Sequence, residues 1–139
     1  MKKIMLDNRG ASLYITLLIV IVLVFLSMSL LITIHISSQK LNANAKEKLL
    51  KLELENVTYE YLNQLSWEDI ALLEVNSSYE FNYTTNYKVV VNTLQTINEF
   101  NLIIQKVNNK LKFQIQVQFQ ISENRITNYH LIKKGYLYD

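Results

Sequence analysis

"DNRGASLYITLLIVIVLVFL", residues 7–26, governs how the rest of the chain is read, because here the sequence turns from charged to wholly apolar within a few positions. From Ala11 to Ile36 there is no Asp, Glu, Lys, Arg, Asn, Gln, Gly or Pro. At ~1.5 Å per helical residue this run extends over about 39 Å, more than a hydrocarbon core of roughly 30 Å requires. It therefore reads as a tilted membrane span. A secretory signal has a shorter apolar core followed by a small-residue cleavage site; Ser37, Ser38, Ala43 and Ala45 keep such a cleavage open as an alternative. A buried core helix is disfavoured, because so small a remainder does not surround a cylinder that is apolar all round. Lys2, Lys3 and Arg9 precede the span and Lys40, Lys46, Lys48 and Lys51 follow it, so counting positive charges does not fix its orientation. His35, close to the end of the run, suits the membrane interface.

Outside the span, a chain of 139 residues leaves room for one modest domain. It has no cysteine, which removes disulfides and thiolate metal sites, and His35 and His130 alone make a poor zinc set. The formal charge is +2, and setting aside Lys2, Lys3, Arg9 and Asp7 from the 14 basic and 12 acidic residues brings the balance to zero. A neutral remainder lacks the phosphate-neutralising footprint of a nucleic-acid binder, so no direct nucleic-acid binding is expected. Lys106, Lys110, Lys112, Lys133 and Lys134 are the basic residues that would have to gather on one face. There is no Gly-rich phosphate loop, no H-E-x-x-H and no G-x-S-x-G. Glu68, Asp69 and Glu74 carry nothing that marks an acid/base pair. The expectation is a protein that is not an enzyme, with no metal and no cofactor.

Beyond the span, "QKLNANAKEKLLKLELENVTYEYLNQL" has strong helix formers and no breaker. Leu41, Ala45, Leu49 and Leu52 recur at helical spacing, and Leu50, Leu54, Val57, Tyr61 and Leu65 form a neighbouring stripe that calls for a partner surface. One helix is expected from about Ser12 to Leu65. Ser66 can cap a short second helix over 67–74, with Glu68 and Asp69 in its favourable first turn. A tryptophan beside two carboxylates has the composition of a binding cleft as well as of core packing, and packing is the reading taken for Trp67.

From residue 78 to 138 the pattern is β. "YEFNYTTNYKVVV" alternates through Tyr79, Phe81 and Tyr83 before its phase shifts at Tyr87. "EFNLIIQKV" follows, then an Asn108-Asn109 turn, then "KLKFQIQVQFQI", which alternates throughout: Leu111, Phe113, Ile115, Val117, Phe119 and Ile121 against Lys110, Lys112 and four glutamines. That is a half-buried antiparallel strand with a solvated polar face. "ITNYHLIKK" adds an edge strand whose lysines discourage further pairing. The fold class is α+β, a long N-terminal helix on a small antiparallel sheet.

The junction is the most distinctive feature. "MKKIMLDNRG" is short and basic, Gly10 ends it, and Ala11 opens the apolar run. This resembles the leader of type IV pilins and pseudopilins. The resemblance implies that a prepilin peptidase removes residues 1–10 after Gly10, that the amine of Ala11 is methylated, and that the apolar helix is kept as an assembly element. It also implies a transmembrane half over 11–36 and an extracytoplasmic pilin-like domain over 37–139, with helix 37–65, short helix 67–74 and sheet 78–138. Two departures are informative. Most members carry a glutamate fifth from the cut, where this chain has Ile15, and a proline midway along the helix, where it has Ile32. Both point away from an abundant shaft subunit, or else against processing altogether.

Size, the missing glutamate and the late strands look most like competence-pilus minor pseudopilins of Gram-positive bacteria. Such a subunit initiates or caps a filament used for DNA uptake, with other pilin-like subunits, the peptidase and the membrane as partners. A minor pseudopilin of a secretion or adhesion pilus, and an unprocessed single-pass membrane protein with an interaction domain, are the alternatives.

Overall fold

The helix expected to begin near Ser12 begins earlier. The computed structural model describes residues 10–96 and 98–138 with their side chains, and residues 2–9 as backbone only. Helix α1 runs Lys2–Gln64 without interruption. The leader residues are mostly good helix formers, and a single helix-interior glycine costs only about 1 kcal/mol relative to alanine, too little to stop propagation. With no proline in the chain, nothing further along breaks it either. The chain divides into two units, Met1–Glu47 and Lys48–Asp139.

In the second unit, the last turns of α1 lie on a five-stranded sheet. Its strands are β1 (Ser78–Thr84), β2 (Tyr87–Thr93), β3 (Glu99–Lys106), β4 (Leu111–Ser122) and β5 (Arg125–Tyr138). They pair antiparallel in sequence order, a meander with β1 and β5 at its edges. The helix contributes Leu54, Thr58, Tyr61 and Leu62 to the core, at the i, i+4, i+7, i+8 spacing of one helical face. The sheet answers with alternate residues of its three central strands: Val89 and Val91; Phe100, Leu102 and Ile104; and Leu111, Phe113, Ile115, Val117 and Phe119. Register puts Val91 across from Leu102 and Leu102 across from Ile115, so one apolar row crosses the sheet beneath the helix. Rings Phe113 and Tyr136 sit 5.0 Å apart, and Phe100 and Phe119 5.6 Å. Of the two helical stripes seen in the sequence, the sheet takes the one containing Leu54 and Tyr61 and leaves Leu49 and Leu52 exposed.

Three polar side chains of α1 flank this stripe. Glu53 accepts from Lys106 Nζ at 2.7 and 3.0 Å and also from the Tyr87 hydroxyl. Glu55 accepts from the Tyr136 hydroxyl, and Gln64 Oε1 from the Tyr83 hydroxyl at 2.7 Å. The helix is thereby tied to β1, β2, β3 and β5 at its sides while its apolar face packs between. The hydrogen bonds from Lys106 and then Tyr87 hold the Glu53 carboxyl below its ordinary 4.5. Burial first, then the bond to Glu53, pushes the Tyr87 phenol up to about 12.

Helix α2 covers Trp67–Ala71, shorter than the expected 67–74. Its start is the N-cap anticipated at Ser66, and the structure completes it as a capping box: the Asp69 N–H donates to Ser66 Oγ at 3.3 Å, and Asp69 Oδ2 accepts from the Ser66 N–H at 2.9 Å. Its early end comes from competition. Glu74 N–H donates to the Tyr79 hydroxyl, Thr93 Oγ1 donates to the Glu74 carbonyl, and Ser77 N–H donates to Thr93 Oγ1. The sheet takes the backbone groups that a longer helix would have used.

The turns also differ from expectation. "YEFNYTTNYKVVV" is the β1–β2 hairpin: the phase shift read at Tyr87 is the start of β2, with Thr85-Asn86 as the turn and an irregularity between Asn82 and Thr84. Asn108-Asn109 belongs to a four-residue connection between Lys106 and Leu111: Asn108 takes φ 63° and Asn109 Oδ1 accepts from the Leu111 N–H at 2.8 Å. A further two-residue turn is Glu123-Asn124, both at positive φ, within "SENR". The glutamine row is half-buried near the middle of β4 and bonded across strands, Gln114 to Asn101 and Gln116 to Glu99, each at 2.8 Å.

Two expectations test this arrangement. In residues 48–139 expressed alone, Phe113→Ala should lower the unfolding free energy by about 3–5 kcal/mol, while Gln118→Ala, exposed on the opposite face, should change it by less than about 0.5 kcal/mol. Equal effects in urea titrations would refute the assigned faces. The second concerns pH. Because the folded-state carboxyls of Glu53 and Asp69 are depressed, the stability they supply is complete above their ordinary values of 4.5 and 3.8 and disappears as pH falls through the folded values. Glu53→Gln should flatten the acid limb of a melting-temperature profile. The raised phenols of Tyr61 and Tyr87 work oppositely, their contribution being lost between about 10 and about 12 as pH rises.

Candidate functional site

The processing and assembly residues lie on the first unit's helix. Gly10 sits inside α1 in ordinary helical backbone, and no glycine among the described residues has a positive φ. A Cβ built on it meets nothing within 4 Å. Neither backbone conformation nor crowding therefore asks for glycine at position 10. Ala11 comes next, exposed, and Ile15 is 57% exposed four residues further on. The side chains of residues 1–9, which carry the leader's charges, lie outside the described residues.

Between positions 11 and 36 every side chain is exposed, including Tyr14 and Phe25. The helix Gly10–Gln64 is long and apolar enough to cross a membrane by length and composition, and none of its most apolar window is covered by the rest of the chain. Three of its hydroxyls are satisfied internally: Thr16 donates to the Ser12 carbonyl at 2.9 Å, Ser27 to Leu23 at 2.8 Å and Thr33 to Ser29 at 2.9 Å. Such i−4 bonds spare these donors from facing a medium without water. At the polar end, the Gln39 amide meets His35 Nε2 at 3.0 Å. Surroundings of lipid or of other apolar helices suit this surface, and water does not.

The five lysines considered for nucleic acid are not gathered together. Lys106 is ion-paired with Glu53. Lys133 lies opposite Gln116 and Lys134 opposite Ile115, which places them on opposite faces of the sheet. Lys112 shares a face with Leu137, and Lys110 stands in the β3–β4 connection. Among the described residues no group of three His, Asp or Glu side chains is placed to share a metal ion.

A second feature is announced by no motif. Between the end of α1, α2 and the sheet lies a half-open cavity of about 510 Å³. Phe100, Val117 and Phe119 form its floor, Tyr61 and Ile70 its walls, and Leu72, 81% exposed, stands at its mouth. Asp69 is the single charged residue lining it among those described. Oδ2 of that carboxylate is engaged by Ser66 through the backbone N–H and hydroxyl, which hold the group below its ordinary pKa and therefore ionised. Trp67, half-buried against the core, begins the helix carrying Asp69. The sequence does hold a signal for it: residues 52–87 contain seven carboxylates and no lysine or arginine.

Compared with known proteins, the chain matches no family model, no curated protein and no solved structure. The absence of cysteine makes the membrane assignment directly testable. Val20→Cys should resist an aqueous maleimide in membrane vesicles until detergent is added, whereas Ala45→Cys should react in vesicles open on the correct side. Labelling of both at the same rate without detergent would exclude a span.

Proposed function

We propose that this chain is a minor pseudopilin, a non-catalytic structural subunit that initiates or caps a type IV-like filament. In this reading residues 11–36 anchor it in a bacterial cell membrane, with residues 37–139 extracytoplasmic, until assembly carries it into a filament at the cell surface. The observation that carries the proposal is the junction at Gly10: a short basic leader ends in a glycine for which the helix has no conformational need, and the apolar helix beyond it leads into a sheet-bearing domain. A glycine without a backbone role is accounted for by recognition, here by a prepilin peptidase. The competence pilus for DNA uptake is the system we favour within this reading.

Ile15 supports a place at the end of the filament. Among bundled apolar helices, the new amine of each subunit needs a carboxylate from a neighbour, since a buried charge without a partner costs about 3–5 kcal/mol. A subunit with isoleucine at this position offers its own amine to a neighbour's carboxylate but provides none in return. Repeated along a shaft, it leaves one amine unpaired per copy. A single terminal copy avoids that cost.

A second reading, an unprocessed single-pass protein, draws on the unbroken course of α1 through Gly10, which leaves no exposed loop at the cleavage point. Co-expression with a prepilin peptidase separates the two. Intact mass and N-terminal sequencing should give a mature chain beginning at Ala11, and Gly10→Val should leave the full-length precursor in the membrane. A chain that keeps residues 1–10 in the presence of an active peptidase favours the plain anchor and removes the pseudopilin assignment.

A further inference from the structure

The cavity beside α2 has a chemical character that the filament reading does not use, and a role for it does not depend on that reading. Its volume of about 510 Å³ is within the ~300–1,000 Å³ of sites that hold small apolar groups. Protein interiors rarely leave such a space without an occupant, because each wall loses its packing partners. The floor includes the fully buried Val117 and Phe119, while Leu72 and Phe81 at the opening keep much of their surface in water.

Charge narrows the choice of occupant. Glu53 and Glu80 are neutralised by Lys106 and Lys88. On the α2 side, Glu68, Asp69 and Glu74 have no cation within ion-pairing reach among the described residues, and Glu60 meets the Gln64 amide. No described lysine or arginine lines the cavity. Both Ser66 groups bind Oδ2 of Asp69, which leaves Oδ1 outside those bonds. An apolar cavity whose single charged lining residue among those described is the carboxylate Asp69, with Glu68 beside it on α2 and Glu74 shortly after it in the chain, suits an apolar side chain flanked by cations. It disfavours a fatty acid or any other anion.

We propose that the cavity formed by the end of α1, α2 and the sheet is a docking site for a partner protein, receiving an apolar or aromatic side chain from a basic segment whose lysine or arginine neighbours meet Asp69, Glu68 and Glu74. The apolar anchor supplies most of the affinity by leaving water, and the rim charges select the sequence around it.

Trp67, the only tryptophan, lies one helical turn before Ile70 in the cavity wall, so its fluorescence reports occupancy. The full chain in zwitterionic-lipid nanodiscs is titrated with three tetrapeptides of low membrane affinity: acetyl-Lys-Leu-Phe-Lys-amide, its Glu-Leu-Phe-Glu counterpart, and Lys-Gly-Gly-Lys. The first should give a saturable change, and the other two should bind at least about tenfold more weakly. Leu72→Asn, at an exposed position, should weaken the first peptide about tenfold, and the double variant Glu68→Lys/Glu74→Lys should reverse the preference toward the acidic peptide. Glu123→Lys, the same charge change in the distant β4–β5 turn, should leave binding unchanged, with circular dichroism confirming the fold of each variant. Equal binding of the basic and acidic peptides, an equal effect of Glu123→Lys, or no saturable signal from the basic peptide would overturn the proposal. Saturable binding of toluene with the same affinity in wild type and the charge-reversed variant, without peptide binding, would identify a neutral small-molecule cavity instead and equally overturn it.

Discussion

One helix without a breaker has to satisfy two environments, and most of the structure depends on that constraint. Over residues 11–36 α1 is apolar on every side and covered by nothing in its own chain. Over residues 48–64 it is apolar on one side and covered there by the sheet. Both stretches share one continuous helical backbone, so the difference between them lies in the side chains. An all-round apolar surface is stable only where water is absent, whereas a single stripe asks for one partner layer. The hydroxyls of Thr16, Ser27 and Thr33, each bonded back into the helix, show the first regime at the level of single atoms.

In the second regime, apolar contact holds the helix to the sheet but does not by itself choose its rotation. Leu49 and Leu52 are as hydrophobic as Leu50 and Leu54, yet remain exposed. The flanking polar residues make the choice. Glu53, Glu55 and Gln64 receive hydroxyl or ammonium donors from Tyr87, Lys106, Tyr136 and Tyr83. Turning the helix toward the other stripe would strand these acceptors away from their donors. Each bond is modest in net energy, about 1 kcal/mol, but all are lost together. Lys51, whose ammonium stands 5.2 Å from the centre of the Tyr136 ring, adds to the same side.

Elements set by local pattern were legible in the sequence. The alternation of β4 placed Leu111, Phe113, Ile115, Val117 and Phe119 on the core face as observed, and Ser66 announced the cap of α2. Elements set by competition between distant groups were not. The length of α2 depends on Thr93 and Tyr79 capturing the Glu74 backbone, which neither segment reveals alone. The hairpin within "YEFNYTTNYKVVV" hides because Thr85-Asn86 lacks the glycine that usually marks so short a turn. Asn108-Asn109 looked tighter than it is, since the same asparagines also serve a longer connection through a side-chain bond to Leu111. At Gly10 the junction was plain in the sequence, and the structure adds that no backbone need explains its glycine.

Net charge misled in a physically instructive way. A remainder that sums to zero beyond residue 10 conceals a segregated pattern: seven carboxylates and no cation over residues 52–87, with lysines on either side. Folding neutralises only part of this. The ion pairs of Glu53 with Lys106 and of Glu80 with Lys88 draw cations from β3 and β2 toward the acidic segment, while α2, carrying Glu68 and Asp69, meets none among the described residues. Potential depends on where charges sit within roughly 8–10 Å of one another, the screening length of physiological salt, so the average over a chain says little about a given rim. Here one of the unneutralised carboxylates, Asp69, lines an opening into the core that Leu72 also lines. Packing alone explains neither an exposed leucine at a helix end nor an unneutralised carboxylate in the lining of an apolar cavity, and the two together suit a surface that is basic outside and apolar at its centre.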